Sequence, residues 1–184
     1  EALPNFGYTK SAVWVRIPVT NTLKHPADLI LEVSSQFIDH VDFYYPDVTG
    51  YGVVLSGDEV PFTMRKVFDR NIVFPVTVPT GTTVYFLRFR TAGPLSMALT
   101  LWDRDSFHEA KTRESTLLWL FFGMIAALVL YNAFIFIITR DTGYLYYVLF
   151  MTSFLIWIMC FSGSAYQYLW PESPLINFMA IKIA

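Results

Sequence analysis

Ser115–Thr139, STLLWLFFGMIAALVLYNAFIFIIT, contains no charged side chain. A bilayer core about 30 Å thick is crossed by roughly 20 apolar residues of helix. In lipid the backbone has to satisfy its own hydrogen bonds, so a run of this kind is a helix. It predicts a transmembrane span and divides the chain in two. Before it lies a charged stretch with β-type patterning; after it lies a second apolar part.

The division shows in the charges. Beyond Ser115 the only charged residues are Arg140, Asp141, Glu172 and Lys182. Over the whole chain 15% of residues are charged and 54% hydrophobic, against roughly 25% charged in soluble domains. The net charge of −2 argues against a nucleic-acid surface. Cys160, the single cysteine, sits in an apolar run and reads as a small buried hydrophobe. The first residue is Glu and no basic-then-apolar leader follows. This reads as a cleaved signal peptide or as a fragment. Met179–Ala184 reads as a helix cut midway, which favours the fragment.

Residues 11–21 alternate Val13, Val15 and Ile17 with Trp14 and Arg16, the period-2 pattern of a strand with one buried face. Further strands are expected at Leu29–Val33, Val41–Tyr45, Gly52–Leu55, Asn71–Val78, Val84–Thr91 and Leu95–Trp102, with turn residues between them. Pro75 suits an edge strand, because proline donates nothing to a ladder. Val60–Asp69 gives no clear pattern. Short strands at this spacing predict an antiparallel sandwich over residues 1–105, large enough for its own core.

Phe86, Arg88 and Arg90 share one face of the strand at 84–91, and Trp14 and Arg16 share one face of the strand at 11–21. Rings beside guanidinium forks suit a sugar-like or carboxylated ligand: the ring covers an apolar face and the fork binds oxygens. With Tyr44, the candidate ligand residues are Trp14, Arg16, Arg88 and Arg90. The same set also reads as a solvated face whose arginine stems cover aromatic surface. Tyr44 and Tyr45 read as core and rim as readily as platform. His25, His40 and His108 have no partner at a metal-ligand spacing. No nucleophile elbow, phosphate loop or acid/base pair stands out, so no metal, cofactor or catalytic residue is expected.

Ser106-Phe107-His108-Glu109 fits a capping box at a helix start. A helix over Phe107–Thr139 would be about 50 Å long and would rise about two turns above the bilayer. Such a rod suits either a simple anchor or a stiff link between domain and membrane. Arg140–Gly143 reads as a turn. A second span is expected over about 144–164, with Tyr144, Tyr146 and Tyr147 at one end and Tyr166, Tyr168 and Trp170 past the other, as in an aromatic belt. Ser173-Pro174 suits the start of a third helix. Asn132 and Lys182 are the polar residues at membrane depth. An amide there is expected to bond to a neighbouring helix. Lys182, about 12 Å beyond Pro174, is a functional candidate or a snorkelling side chain. The Lys/Arg count around the first span leans against an outside N-terminal domain, although long domains translocate largely regardless of charge.

Leu130-Tyr131-Asn132-Ala133-Phe134, then Thr139-Arg140-Asp141 and Tyr144-Leu145-Tyr146-Tyr147, resemble the start of the membrane module of bacterial seven-transmembrane receptors with diverse intracellular signalling modules. Val13-Trp14-Val15-Arg16, Phe43-Tyr44-Tyr45-Pro46 and Tyr85-Phe86-Leu87-Arg88 are similar to their type 2 extracellular sensory domain. The resemblance implies a periplasmic jelly-roll-like domain akin to carbohydrate-binding modules. It also implies seven helices and a cytoplasmic output such as a diguanylate cyclase, histidine kinase or phosphatase. Against that pattern the domain lacks its first strands, and two spans and part of a third are present.

The expected function is therefore the sensing and transmembrane portion of an inner-membrane receptor, not itself an enzyme. Its expected partners are the lipid bilayer and a small-molecule or carbohydrate ligand, with a homodimer left open. The alternative is a membrane-anchored binding or assembly module of a transporter or envelope complex without signalling output. A membrane enzyme is the weakest reading, since no catalytic cluster is visible.

Overall fold

The computed structural model describes residues 5–9, 11–35, 37–96 and 98–183, with side chains left aside at 5, 6, 96, 178 and 180–183. Among the described residues nine strands precede the long helices: β1 (Asn5–Tyr8), β2 (Val13–Asn21), β3 (Ala27–Val33), β4 (His40–Asp47), β5 (Gly50–Ser56), β6 (Ile72–Val78), β7 (Gly81–Arg90), β8 (Pro94–Ser96) and β9 (Leu99–Asp103). They form antiparallel sheets in the orders β2-β7-β4-β5, β6-β3-β9 and β1-β8.

The two larger sheets face each other across one core. The four-stranded sheet contributes Val41, Phe43, Tyr85, Leu87 and Phe89; the three-stranded sheet contributes Leu31, Val33, Phe74, Val76 and Val78. Full burial of side chains of this size favours folding by about 1.5–3 kcal/mol each. The four-stranded sheet keeps one open face, so β2 alternates strictly between half-buried and exposed residues. The three-stranded sheet is covered on both faces, and β3 accordingly reads as an unbroken buried run from Ile30 to Val33. Its second face carries Ile30, Val73 and Phe107, with Trp102 beside them. Pro75 lies on the edge strand β6 opposite Ile30.

Three expectations are corrected. β1 carries no period-2 signal and is held by pairing with β8, some ninety residues away. Leu95–Trp102 is two strands in different sheets: β8 pairs with β1, and β9 pairs with β3. The long helix α1 (Arg104–Thr139) starts earlier than the capping box implies. Asp103 is its N-cap, and its carboxylate accepts from the backbone N–H of Asp105 and Ser106. Asp103, the last residue of β9, caps better than Ser106 because the strand already holds it extended.

α1 ends where Arg140 takes a left-handed conformation, φ 56°, and Asp141 caps α2 (Thr142–Phe161) through Gly143 N–H. Only 11% and 6% of the most apolar windows of α1 and α2 are buried, so their apolar side chains face outward, as in transmembrane helices rather than core helices. Gly163, φ +74°, turns the chain into a short helix, α3 (Ser164–Tyr168), and α4 (Pro174–Ile183) follows. Asn132 corrects a further expectation: its Nδ2 donates to Leu128 O of its own helix at 2.8 Å rather than across to α2. A short polar side chain can satisfy itself this way inside a helix. Lys182 lies on α4, and its side chain falls outside the described residues.

Candidate functional site

Cross-strand register brings the candidate ligand residues onto the open face of the four-stranded sheet. Trp14 lies opposite Arg88, and Arg16 opposite Phe86. Across β7, Arg88 lies opposite Asp42, Phe86 opposite Tyr44, and Arg90 opposite His40. The Trp14 and Tyr44 rings meet at 5.2 Å. Tyr51 of the neighbouring strand packs edge-on against Phe86 at 5.5 Å. Trp14, 55% exposed, and Tyr51, 52% exposed, leave a ring-lined surface open to solvent. Arg88 is committed: its Nη1 donates to Asp42 Oδ2 at 2.9 Å. Arg16 and Arg90 are exposed beside it. The face can stack a sugar or other flat ring and offer guanidinium donors at its border.

A second feature has no counterpart in the sequence reading. The segment 57–71, which contains the patternless stretch Val60–Asp69, leaves the sandwich at Gly57 and seats itself on the turn between α2 and α4. Phe62 N–H donates to Pro171 O at 2.8 Å. Tyr166 Oη donates to Val60 O at 2.7 Å, and Gln167 Nε2 to Phe68 O at 3.3 Å. Around these bonds Phe62 meets Tyr166 edge-on at 5.6 Å, Phe68 meets Tyr168 at 5.7 Å, and Tyr168 meets Trp119 of α1 at 5.1 Å. Phe37, in the connection between β3 and β4, reaches Phe161 at 5.8 Å.

Arg65 holds the segment in shape. Its Nη1 donates to the carbonyls of Asp69, Arg70 and Asn71, and its Nη2 to Gly57 O. The guanidinium stands 4.6 Å from the Phe62 ring centroid and 5.8 Å from that of Tyr166. Burial pushes the Arg65 pKa down, though the neighbouring carboxylates of Asp58 and Asp69 favour its charge. Beside it, burial raises Asp58 to about 7, helped by Asp39 and Glu59 and opposed by Arg65. Burial also pushes the Tyr166 phenol up to about 12, so it stays protonated and donates.

The first turns of α1 are tied to the sandwich by charge. Lys111 Nζ lies 2.5 Å from Glu32 Oε1, 3.8 Å from Asp69 Oδ1 and 3.3 Å from Glu114 Oε2. Glu32 also accepts from Asn71 Nδ2 and Trp102 Nε1, both at 2.6 Å. Burial would raise its pKa, but the bonds from Lys111, Asn71 and Trp102 outweigh that and hold it below the usual carboxylate value. Arg70 bonds to Glu114 one turn further along.

The sequence missed Phe62, Arg65, Phe68 and Gln167, and placed Tyr166 and Tyr168 only in a lipid-interface belt. The available signal was a lone arginine between two phenylalanines in a stretch without strand or helix period.

Residues 1–103 match the family model described as 7TMR-DISM extracellular 2, and residues 114–184 match that described as 7TM diverse intracellular signalling. No curated protein matches the chain. Both matched domains are sensory and membrane modules rather than catalytic ones. These matches place the chain: it belongs to the 7TMR-DISM family, membrane sensory receptors with an N-terminal extracellular sensory domain and a 7TM domain.

Proposed function

We propose that this chain is the ligand-sensing and transmembrane portion of a multi-pass receptor of a bacterial inner membrane. On this reading the sandwich is periplasmic and takes a carbohydrate or carboxylate ligand. The response passes to a cytoplasmic output module outside these residues. The observation that carries the reading is the seating of segment 57–71 on α3, with Tyr166 Oη donating to Val60 O and Phe62 N–H donating to Pro171 O. A domain that is merely anchored needs one tether. Here the sandwich is joined to the membrane part twice, through the start of α1 and through α3. A shift of the sandwich relative to α1 therefore has to move α3 as well. A ligand drives that shift only by binding the two arrangements with different affinity.

The open face formed by Trp14, Arg16, Tyr44, Arg88 and Arg90 is the ligand surface in this proposal. Because Arg88 is paired to Asp42, the exposed Arg16 and Arg90 supply the free donors, and Trp14 supplies the stacking surface.

The test uses the full-length receptor in native membranes. The output activity carried beyond residue 184 is measured in wild type and in Phe62→Ala/Tyr166→Ala. Output that becomes constitutive or unresponsive in the double variant supports the relay. Unchanged output in a normally inserted variant, or a full-length chain with no output module, would leave a membrane-anchored binding or assembly module as the better reading.

A further inference from the structure

The sandwich has a second opening, on the side away from the ring-lined face. Between the edge strands β5 and β6 the two sheets part to leave a cleft of about 340 Å³, within the size range of small-molecule sites. Its floor is made by aromatic rings of the core, and Tyr45 stands half-buried at its mouth. Phe43 stacks on Phe74 at 4.9 Å, on Tyr85 at 5.7 Å and on Tyr45 at 6.2 Å, with interplanar angles of 25°, 18° and 27°. These residues face the core side of β4 and β7, opposite to Asp42, Tyr44, Phe86 and Arg88. The cleft is thus a separate site from the open face.

Lys66 is the one charged residue lining the cleft. Its Nζ stands 6.0 Å from the Tyr45 ring centroid. Among the described residues no carboxylate lies within ion-pair distance of it. Lys66 also borders a neighbouring hollow of about 470 Å³ that reaches Arg104 and His108 of α1. The carboxylate of that hollow, Asp28, already accepts from Thr77 Oγ1 at 2.7 Å. The mouth therefore combines an apolar lining with the positive charge of Lys66.

We propose that this cleft binds an organic carboxylate with a planar ring: the ring lies against Tyr45, Val54 and Pro75 at the mouth, above the buried rings of Phe43, Phe74 and Tyr85, and the carboxylate meets Lys66. Tyr45, half-buried at the mouth, is the ring of this wall that a flat ligand can reach, and offset stacking on it is favourable. An ammonium without a protein counter-ion gains most from a charged acceptor. Lys66 directly follows Arg65, the residue that shapes segment 57–71 against α3, so an occupant gripping Lys66 stiffens the segment that touches the membrane part.

The test is direct binding to the whole chain in detergent, read by calorimetry and ligand-observed NMR. The probes are indole-3-acetate and its neutral analogue indole-3-acetamide. The acid is expected to bind, and the amide to bind about tenfold or more weakly, the loss of one charge-assisted bond. Lys66→Gln should bring the acid down to the level of the amide and leave the amide unchanged. Val54→Trp, which fills the cleft, should abolish both, and Trp14→Ala on the open face should change neither. Lys66→Gln alters an exposed side chain, so its result stands if Val54→Trp fails to fold. No binding of the acid at millimolar concentration, equal binding of acid and amide, or indifference to Lys66→Gln would overturn the site. Each outcome is read from binding alone, so failure here is distinguishable from failure of the signalling reading, which is read from output.

Discussion

The guanidinium of Arg65 lies 5.8 Å from the ring of Tyr166, a residue a hundred positions away on the far side of two membrane helices. Around that pair, bonds in both directions join a loop of the sandwich to the turn after the second span. Arg65 serves two ends at once. Its donors close segment 57–71 into a ring of carbonyls, and its flat face presents that ring to α3.

Replacing Arg65 by Met should therefore do more than remove a contact. The four carbonyls that accept from its Nη1 and Nη2 lose their donor inside a half-buried loop. A cost of about 3 kcal/mol or more is expected. Arg65→Lys should recover little of it, because an ammonium cannot fork to Asn71 and Gly57 together. Thermal unfolding of the purified chain measures both. Equal stability of Arg65→Lys and wild type would show that charge, not geometry, is what matters.

Tyr166→Phe isolates one bond. The ring contacts with Phe62 and Arg65 survive, while the bond from Tyr166 Oη to Val60 O is lost. The expected cost is about 1 kcal/mol, with faster amide exchange confined to segment 57–71 and α3. Exchange that rises evenly across the sandwich would contradict a local junction.

Asp58 sets a pH dependence. Burial raises its folded pKa to about 7 against 3.8 for an exposed aspartate, so the folded chain holds more protons than the unfolded chain between those values. Its contribution to stability therefore falls as pH rises from about 4 to about 7, by at most about 1.4 kcal/mol per pH unit. Asp58→Asn should flatten that slope and be more stable than wild type at pH 8. Glu32 acts in the opposite sense: its folded pKa is lowered, so its contribution is present above its ordinary pKa and lost in more acid solution. The difference between wild-type and Asp58→Asn melting curves across pH 4–8 isolates Asp58.

Gly57 begins the segment at φ +141°, and a Cβ placed there would stand 2.1 Å from Asp39 O. Backbone cannot yield to that approach as a flexible side chain can. Gly57→Ala should cost several kcal/mol, through strain and contact together. A folded variant of unchanged melting temperature would mean that the turn can be rebuilt.

Lys111 ties α1 to the sandwich. Lys111→Met leaves Glu32, 3% exposed, without its cation, and about 3–5 kcal/mol should be lost. Lys111→Met/Glu32→Gln should recover part of that, since the buried charge is gone, although Asn71 and Trp102 donate to different oxygens of Glu32 and only one of them keeps an acceptor. A double-mutant cycle on thermal stability gives the coupling. A double variant no more stable than the single would place the cost elsewhere.

Two properties were legible in the chain itself because they are local. An uncharged apolar run as long as Ser115–Thr139 has one low-energy form in lipid. The alternation of Val13, Trp14, Val15 and Arg16 assigns each side chain to a face by the pleat alone. From the second property it followed that Trp14, Arg16, Arg88 and Arg90 stand on outer faces, though not that register would place Trp14 directly opposite Arg88. What only the tertiary structure decided depends on partners distant in sequence. β1 exists through β8, and the stretch after Gly93 is divided because its halves pair with different sheets. Segment 57–71 has no period because its shape is set by one side chain, Arg65, bonding to its own carbonyls, and by contacts with the membrane turn, rather than by a regular backbone ladder. Arg65 and Tyr166 become neighbours only when α1 and α2 have folded back on each other, and no spacing within the sequence records that distance.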